Sequence, residues 1–156
     1  MQIIKNKIFL RKATDEDAEL LFNWRNDDEV REASFHQEIL KWPEHLEWFK
    51  KVLNNSACCL YIINNQEGTP IGQIRFDKNG DGATINISLG KDFRGKGYGA
   101  ESIKTASRFF LDNHKDIKKI MALVKDENES SVKVFNRSGF LECKRENGII
   151  NFLFNK

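Results

Sequence analysis

Two prolines, three cysteines, no long apolar run and hardly any net charge: the scarcities of this 156-residue chain exclude several classes of protein. No stretch approaches the roughly 18 consecutive apolar residues that a membrane helix needs. Met1 to Leu10 alternates lysine with isoleucine and lacks the apolar core of a signal peptide. Both absences point to a cytoplasmic protein with no membrane partner. The formal charge is +2, from 25 basic and 23 acidic residues mixed along the sequence. That balance argues against a nucleic-acid partner held by bulk electrostatics. Cys58, Cys59 and Cys143 are odd in number with one adjacent pair, which makes no disulfide framework, and no CxxC pair offers zinc a site, so no metal is expected. Cys58 and Cys59 lie in the apolar run 57–63, where cysteine behaves as a small hydrophobe. There is no internal repeat, low-complexity tract or Pro/Ser-rich linker, so residues 1–156 read as one domain. With 40% apolar and 31% charged residues, it can build one sizeable core.

What is present is a clear alternation of elements. Residues 3–11 read as a first strand. Thr14-Asp15-Glu16-Asp17 offers a hydroxyl cap with an acid three residues on, the start signal of a helix striped by Ala18, Leu21 and Phe22. The charged segment 25–32 follows as a connection. A second helix starts at Pro43, where a missing N–H costs nothing, and buries Leu46, Phe49, Val52 and Leu53. Strands are expected over 58–63, 71–76 and 83–89, parted by Asn- and Gly-rich turns. The last of these alternates, with Ile85, Ile87 and Leu89 on one face and Thr84, Asn86 and Ser88 on the other. A long helix carries Ala100, Ile103, Ser107, Phe110 and Leu111 at helical spacing. Residues 120–124 form an apolar run expected of a parallel strand buried on both faces. A helix over 130–138, stopped by Gly139, leads to two strands, 140–145 and 149–154, joined by the tight turn Glu146-Asn147-Gly148. The order β-α-α-β-β-β-α-β-α-β-β predicts a mixed α/β (α+β) sheet of about seven strands, mostly antiparallel, with helices on both faces.

The sharpest local signal is Arg94-Gly95-Lys96-Gly97-Tyr98-Gly99, which follows a strand and opens a helix. Unbonded backbone N–H groups converge there at the positive end of a helix dipole. The glycines let phosphate oxygens approach the backbone, and Arg94 and Lys96 add charge, so a pyrophosphate is the natural guest. A Walker A loop would end in Gly-Lys-Ser/Thr, whereas Gly99 is followed by Ala100. A dinucleotide loop would read Gly-x-Gly-x-x-Gly, and the strand after the helix would end at a ribose-binding acid rather than a lysine.

Arg94-x-x-Gly97-x-Gly99 resembles the Gln/Arg-x-x-Gly-x-Gly/Ala signature of the GNAT acetyltransferases, and the element order is similar over essentially the whole chain. Asn128-x-x-Ser131, Phe135 and Arg137-Ser138-Gly139-Phe140 resemble that family's second motif. The resemblance implies a GNAT-like fold and acetyl-CoA as cofactor. It implies that Gly95, Lys96, Gly97, Tyr98, Gly99 and Ala100 cradle the pyrophosphate, with Arg94 beside them, and that the pantetheine arm lies between strands 83–89 and 120–124. The N–H near Leu89 would polarise the thioester carbonyl. Asn128 and Ser131 would line the thiol end, with Phe135 at the motif's tyrosine position, and Arg137 would reach the far phosphate. Leu89, Asn128 and Ser131 are thus the expected catalytic positions.

The sequence also departs from the family. Phe135 cannot donate a proton to a departing thiolate, so Ser131, a water or electrostatics alone must serve. The wall strand carries no carboxylate base, leaving a water chain from Thr84, Asn86 and Ser88. A weakly basic amine, such as one on a sugar ring, would need less help. The acceptor side is expected from Trp24, Arg25, Asn26, Phe35, His45 and Trp48, since aromatic faces suit sugar rings and uracil, and arginine suits phosphate. Trp24-Arg25-Asn26-Asp27 with Trp42-Pro43-Glu44-His45 resembles the N-acetyltransferases of UDP-linked 4-amino sugars in pseudaminic and legionaminic acid pathways. Enzymes acetylating ribosomal-protein N-termini and polyamines share part of that layout. A peptide N-terminus, a polyamine, and a catalytically idle binding module are therefore alternatives to a small nucleotide-sugar amine. The final strand, with Phe152 and Phe154, is an expected homodimer edge.

Overall fold

Asparagine–glycine turns cut the second half of the chain into strands, and the apolar alternation within each strand decides which layer it faces. The protein is represented by a computed structural model that describes residues 6–156. Its strands are β1 (Phe9–Lys12), β2 (Cys58–Asn64), β3 (Pro70–Asn79), β4 (Gly82–Leu89), β5 (Lys119–Lys125), β6 (Leu141–Glu146) and β7 (Ile149–Asn155). The helices are α1 (Ala18–Arg25), α2 (Asp28–Ala33), α3 (Trp42–Asn54), α4 (Tyr98–Asn113) and α5 (Glu129–Arg137). Among the described residues the strands form one sheet in the order β1-β2-β3-β4-β5-β7-β6, antiparallel except for β4 against β5. The expected first strand is shorter than the apolar pattern suggests, and residues 3–5 of it lie outside the described residues.

Helices cover both faces. On one, Ile74, Phe76, Ile85, Ile120, Ala122 and Phe152 pack against Ile103 and Phe110 of α4 and Phe135 of α5. Phe76 and Phe110 stack there at 4.4 Å between ring centroids. On the other face, Leu60 and Ile62 of β2 meet Leu21 of α1 and Phe49 and Val52 of α3. Each such burial contributes about 1.5–3 kcal/mol. Asp17 anchors the chain leading into α1, because its carboxylate takes both guanidinium nitrogens of Arg11 at 2.7 and 2.8 Å and the Thr14 N–H at 2.8 Å.

Three expectations need correction. The charged connection after α1 is itself helical (α2), because the Asp27 carboxylate accepts from the N–H groups of Glu29 and Val30 at 3.1 and 3.2 Å and so caps a short helix. The apolar run in β5 is buried on one face only, with Ile120, Ala122 and Val124 inside and Leu123 45% exposed. The cause is the layering: α1 and α3 cover the β2 end of the sheet, and the outer face of β5 has no such helix above it. The C-terminal β7 lies between β5 and β6, not at an edge, and Phe152 is fully buried. A homodimer cannot form by pairing on that strand, since both its neighbours are already in place. Cys58 and Cys59 are half-buried, and burial pushes both thiols up, away from the reactive thiolate. No described helix is long and apolar enough to cross a membrane.

Candidate active site

The site begins where the sheet comes apart. β4 and β5 pair over only Gly82 with Lys119, Ala83 with Ile120 and Thr84 with Met121, and then diverge. The N–H of Gly90 donates to Ile71 O at 2.7 Å, so the neighbouring pair, Gly72 opposite Leu89, falls at the non-bonded position of the β3–β4 ladder. The N–H and C=O of Leu89 therefore point away from β3, into the gap. The strand geometry alone turns that N–H toward the cleft.

Past Leu89 the chain makes a short 3-10 turn (Lys91–Phe93) and then the glycine loop. Gly95 and Gly97 hold φ of +71° and +89°, values that a side chain would strain, and Gly97 caps α4. The first backbone bond into α4, Glu101 N–H to Gly97 O, is long at 3.5 Å. Among the described residues no protein acceptor takes the N–H groups of 95–100, so they remain converged and available. Gly99 allows α5 to come close, since a Cβ there would lie 3.2 Å from Val134 Cγ1. Asn6 sits over the loop, its Nδ2 2.8 Å from where a Gly97 Cβ would be. Neither contact is apparent from the hexapeptide, because Asn6 is distant in sequence.

Arg94 lies in this loop, but its guanidinium faces α2. Its Nε donates to Leu89 O at 3.0 Å, and its two Nη atoms reach Glu29 Oε2 and Asp27 Oδ1, each at 2.9 Å. The second motif likewise makes its contacts within the protein. The Asn128 side chain caps α5 by accepting the Ser131 N–H at 3.2 Å. Phe135 is 5% exposed, edge-on to Phe140 and stacked with Phe152, so it is part of the core. Arg137 is exposed in the last turn of α5.

The expected acceptor residues divide into two groups. Arg25, His45 and Trp48 meet between α1 and α3. The Arg25 guanidinium lies 3.7 Å from the Trp48 ring centroid, and its Nη1 is 3.0 Å from His45 Nδ1. His45 is fully buried, with Nε2 2.7 Å from Ala18 O. A carbonyl only accepts, so Nε2 carries the proton and Nδ1 accepts from Arg25, which makes the ring neutral. Burial first and then Arg25 hold its pKa below the ordinary value. Burial, with Arg75 adding repulsion, lowers Arg25 itself to about 10. Asn26 clamps the following loop, bonding the N–H and C=O of Leu40 at 2.7 and 3.0 Å. Trp24 packs its indole N–H side against Gly90. Phe35 stands apart from Arg25 and lines a hollow of about 320 Å³ with Lys125, Asp126, Glu127, Asn147, Gly148 and Ile149.

Two further residues were not singled out in the sequence. Arg75 extends over the same Trp48 ring at 5.5 Å while its Nε pairs with Asp77 at 3.1 Å. Gln73 donates to Asn86 Oδ1 at 2.9 Å and Ser88 Oγ at 3.0 Å, forming a neutral polar network on the outer face of β4. The alternation of β3 does contain the signal: Ile74 and Phe76 face inward, so Gln73 and Arg75 face outward.

A sheet split between β4 and β5, with the N–H groups of a glycine loop at the end of β4, is an arrangement suited to an anionic cofactor. The family description acetyltransferase (GNAT) domain matches residues 7–141, and the chain belongs to that family of acetyl-CoA-dependent enzymes. The uncharacterized protein MJ1062 of Methanocaldococcus jannaschii is 31% identical over 143 residues, which are 90% of this chain and 29% of that protein. The chain thus spans less than a third of that relative. The crystal structure of a domain from M. jannaschii superposes with a TM-score of 0.83 at 27% identity, covering 97% of this chain and 100% of that one. Spermidine N-acetyltransferase from Vibrio cholerae, solved with CoA and spermine, gives 0.84 at 19% identity over 95% of each chain. The aminoglycoside acetyltransferase AAC(6')-Ib, solved with ribostamycin and coenzyme A, gives 0.82 at 19%, covering 97% and 94%. The last two establish likeness of fold alone.

Proposed function

We propose that the protein transfers the acetyl group of acetyl-CoA to the primary amine of a nucleotide-linked 4-amino sugar. One observation carries the choice of acceptor. Arg25 and Arg75 both reach over Trp48, and among the described residues no carboxylate pairs with Arg25. Two guanidiniums beside an indole, Arg25 lowered first by burial and then by Arg75, suit a phosphorylated ring better than a polycation. Arg75 lies opposite Asn86, and Leu89 is three residues further along β4. That separation is about 10 Å at the rise of a strand, a span that a phosphorylated sugar can bridge.

In this reading the N–H groups from Gly95 to Ala100 hold the cofactor pyrophosphate, and the Leu89 N–H steadies the oxygen of the thioester carbonyl as the amine attacks it. The nitrogen forms a bond to the carbonyl carbon, the carbon–sulfur bond breaks, and the proton shed by the nitrogen leaves along water held by Ser88 and Asn86. Phe135 supplies no proton, so the thiolate takes one from water or from Ser131. The test is mass spectrometry of purified protein with acetyl-CoA and a UDP-linked 4-amino-4,6-dideoxy sugar, against spermidine and peptide N-termini. Acetylated sugar is the expected product. Transfer to spermidine or peptides with none to the sugar refutes the acceptor, and acetyl-CoA left unbound refutes the cradle.

A second reading draws on the hollow beside Phe35, where Asp126 and Glu127 line the wall. Two carboxylates next to an aromatic ring favour a cationic acceptor, a polyamine or a peptide N-terminus. The same assay separates the two.

A further inference from the structure

α2 stands across the mouth of the split sheet, and each side of the split contributes one cation to one end of it. At its N-terminus, Arg94 from the loop after β4 binds Asp27 and Glu29 while its Nε holds Leu89 O. At its C-terminus, Lys125, the last residue of β5, donates from Nζ to Glu32 O at 3.0 Å and Ser34 O at 2.8 Å. Lys125 also lies 5.9 Å from the Phe35 ring centroid, in the wall of the hollow. Both contacts agree with the helix dipole, acids at the start and a cation at the end. α2 is too short to be stable by itself and buries none of its residues, so these ties hold it.

We infer that Arg94 and Lys125 are positioning residues: together they fasten α2 and Phe35 across the β4–β5 gap, and Arg94 does not serve as a ligand of the cofactor phosphates. Arg94 has three of its five guanidinium N–H groups engaged within the protein. Two carboxylates and one carbonyl take all three of its nitrogens, and Asp27, drawn below its usual pKa with Arg94 contributing, stays charged to receive it. A phosphate would have to break a pair whose two side chains are 23% and 24% exposed. The inference rests on the acetyl transfer proposed above, with the acceptor reaching the β4–β5 gap beneath α2, but its principal test needs no acceptor.

Hydrogen exchange of residues 28–40 and calorimetry with acetyl-CoA are measured on the parent and on Arg94→Gln, Lys125→Met and Lys125→Arg. Loss of either tie is expected to speed exchange across 28–40 on the order of tenfold, as the loss of a charge-assisted hydrogen bond would. Lys125→Arg should restore the parent rate, and acetyl-CoA should bind within about threefold of the parent throughout. With UDP-linked 4-amino sugar as probe, KM for the sugar should rise about tenfold in the two loosened variants. Parent-like exchange, or a larger loss of acetyl-CoA affinity in Arg94→Gln, overturns the inference. Should Arg94→Gln not fold, Lys125→Met reads the same strap from its other end. A sugar that the parent itself does not acetylate refutes the proposed acceptor and leaves the exchange result standing on its own.

Discussion

Gly97→Ala tests the cofactor cradle most directly. Gly97 sits at φ +89°, ψ −1°, and caps α4. An L-residue with a Cβ pays about 1–2 kcal/mol for that left-handed conformation. The added Cβ would also come 2.8 Å from Asn6 Nδ2, a contact that an amide can relieve by turning. At roughly 2–4 °C per kcal/mol for a chain of this size, Tm should fall by about 2–8 °C. Relaxing the strain re-aims the N–H groups at the start of α4. Losing one charge-assisted bond to phosphate, about 1.5–3 kcal/mol, weakens acetyl-CoA by at least about tenfold. Asparagine tolerates the left-handed region, so Gly97→Asn should recover much of the Tm. Thermal melts with and without saturating acetyl-CoA, plus calorimetric titration, read both effects. An alanine variant that binds acetyl-CoA like the parent would show that the pyrophosphate lies elsewhere. Asparagine no better than alanine would show that φ is not the cause.

His45 should make stability depend on pH. Its folded pKa lies below the unfolded value of about 6.5, so its contribution is complete above that value and declines as pH falls below it. Denaturant melts at pH 7.5 and 5.5 should show the loss in the parent and not in His45→Gln. Asp17 acts with the same sign in a more acidic range: Arg11 holds its carboxyl below the ordinary value, so its stabilisation is present above pH about 3.9 and is lost as pH falls through the folded pKa. Asp17→Asn should cost about 1 kcal/mol at pH 7, discounted for the partly exposed Arg11, and should flatten the urea-melt difference between pH 7 and 3. Gln73→Leu removes the donor shared by Asn86 and Ser88, and kcat/KM for the accepted amine should fall at least about tenfold if that network carries the proton; an unchanged rate would exclude it.

The fold was legible because its signals are local. The Asn147-Gly148 hairpin, the alternation of β4 and the glycine loop each depend on a few adjacent residues, and positive φ at Asn147, Gly148, Gly95 and Gly97 answers the turn chemistry. The split of the sheet was implied by the resemblance in the two motifs, and the direction of the Leu89 N–H follows from the strand register that the structure supplies. What the sequence leaves hidden involves distant partners. Nothing near Arg94 in sequence announces Asp27 and Glu29, 67 and 65 residues away, so a positive charge beside a phosphate loop reads naturally as a phosphate ligand. Leu123 matches an apolar run, and only the layering of helices shows that its face is open. Gln73 and Arg75 were visible as outward residues of β3, but a strand with one mixed face gives no reason to prefer them until β4 is laid beside it.

The same division explains why a shared fold leaves the acceptor open. The backbone builds the cradle and the Leu89 donor, and any sequence that keeps the split sheet and the glycines can supply them. In the proposed reading the acceptor meets side chains on α1, α2, α3 and the β6–β7 turn, which are placed by side-chain contacts: Asn26 with Leu40, Arg25 with His45, Arg94 with Asp27, Lys125 with Ser34. Chains that share this fold at 19% identity need share no more than the backbone arrangement. The two proposed acceptor classes therefore differ in whether they would occupy the Arg25–Arg75 side or the Asp126–Glu127 side of the cleft. Arg75→Ala should weaken an anionic acceptor and leave a polyamine unaffected, whereas Glu127→Ala should do the reverse, so comparing KM for the two acceptor classes in both variants assigns the site by charge.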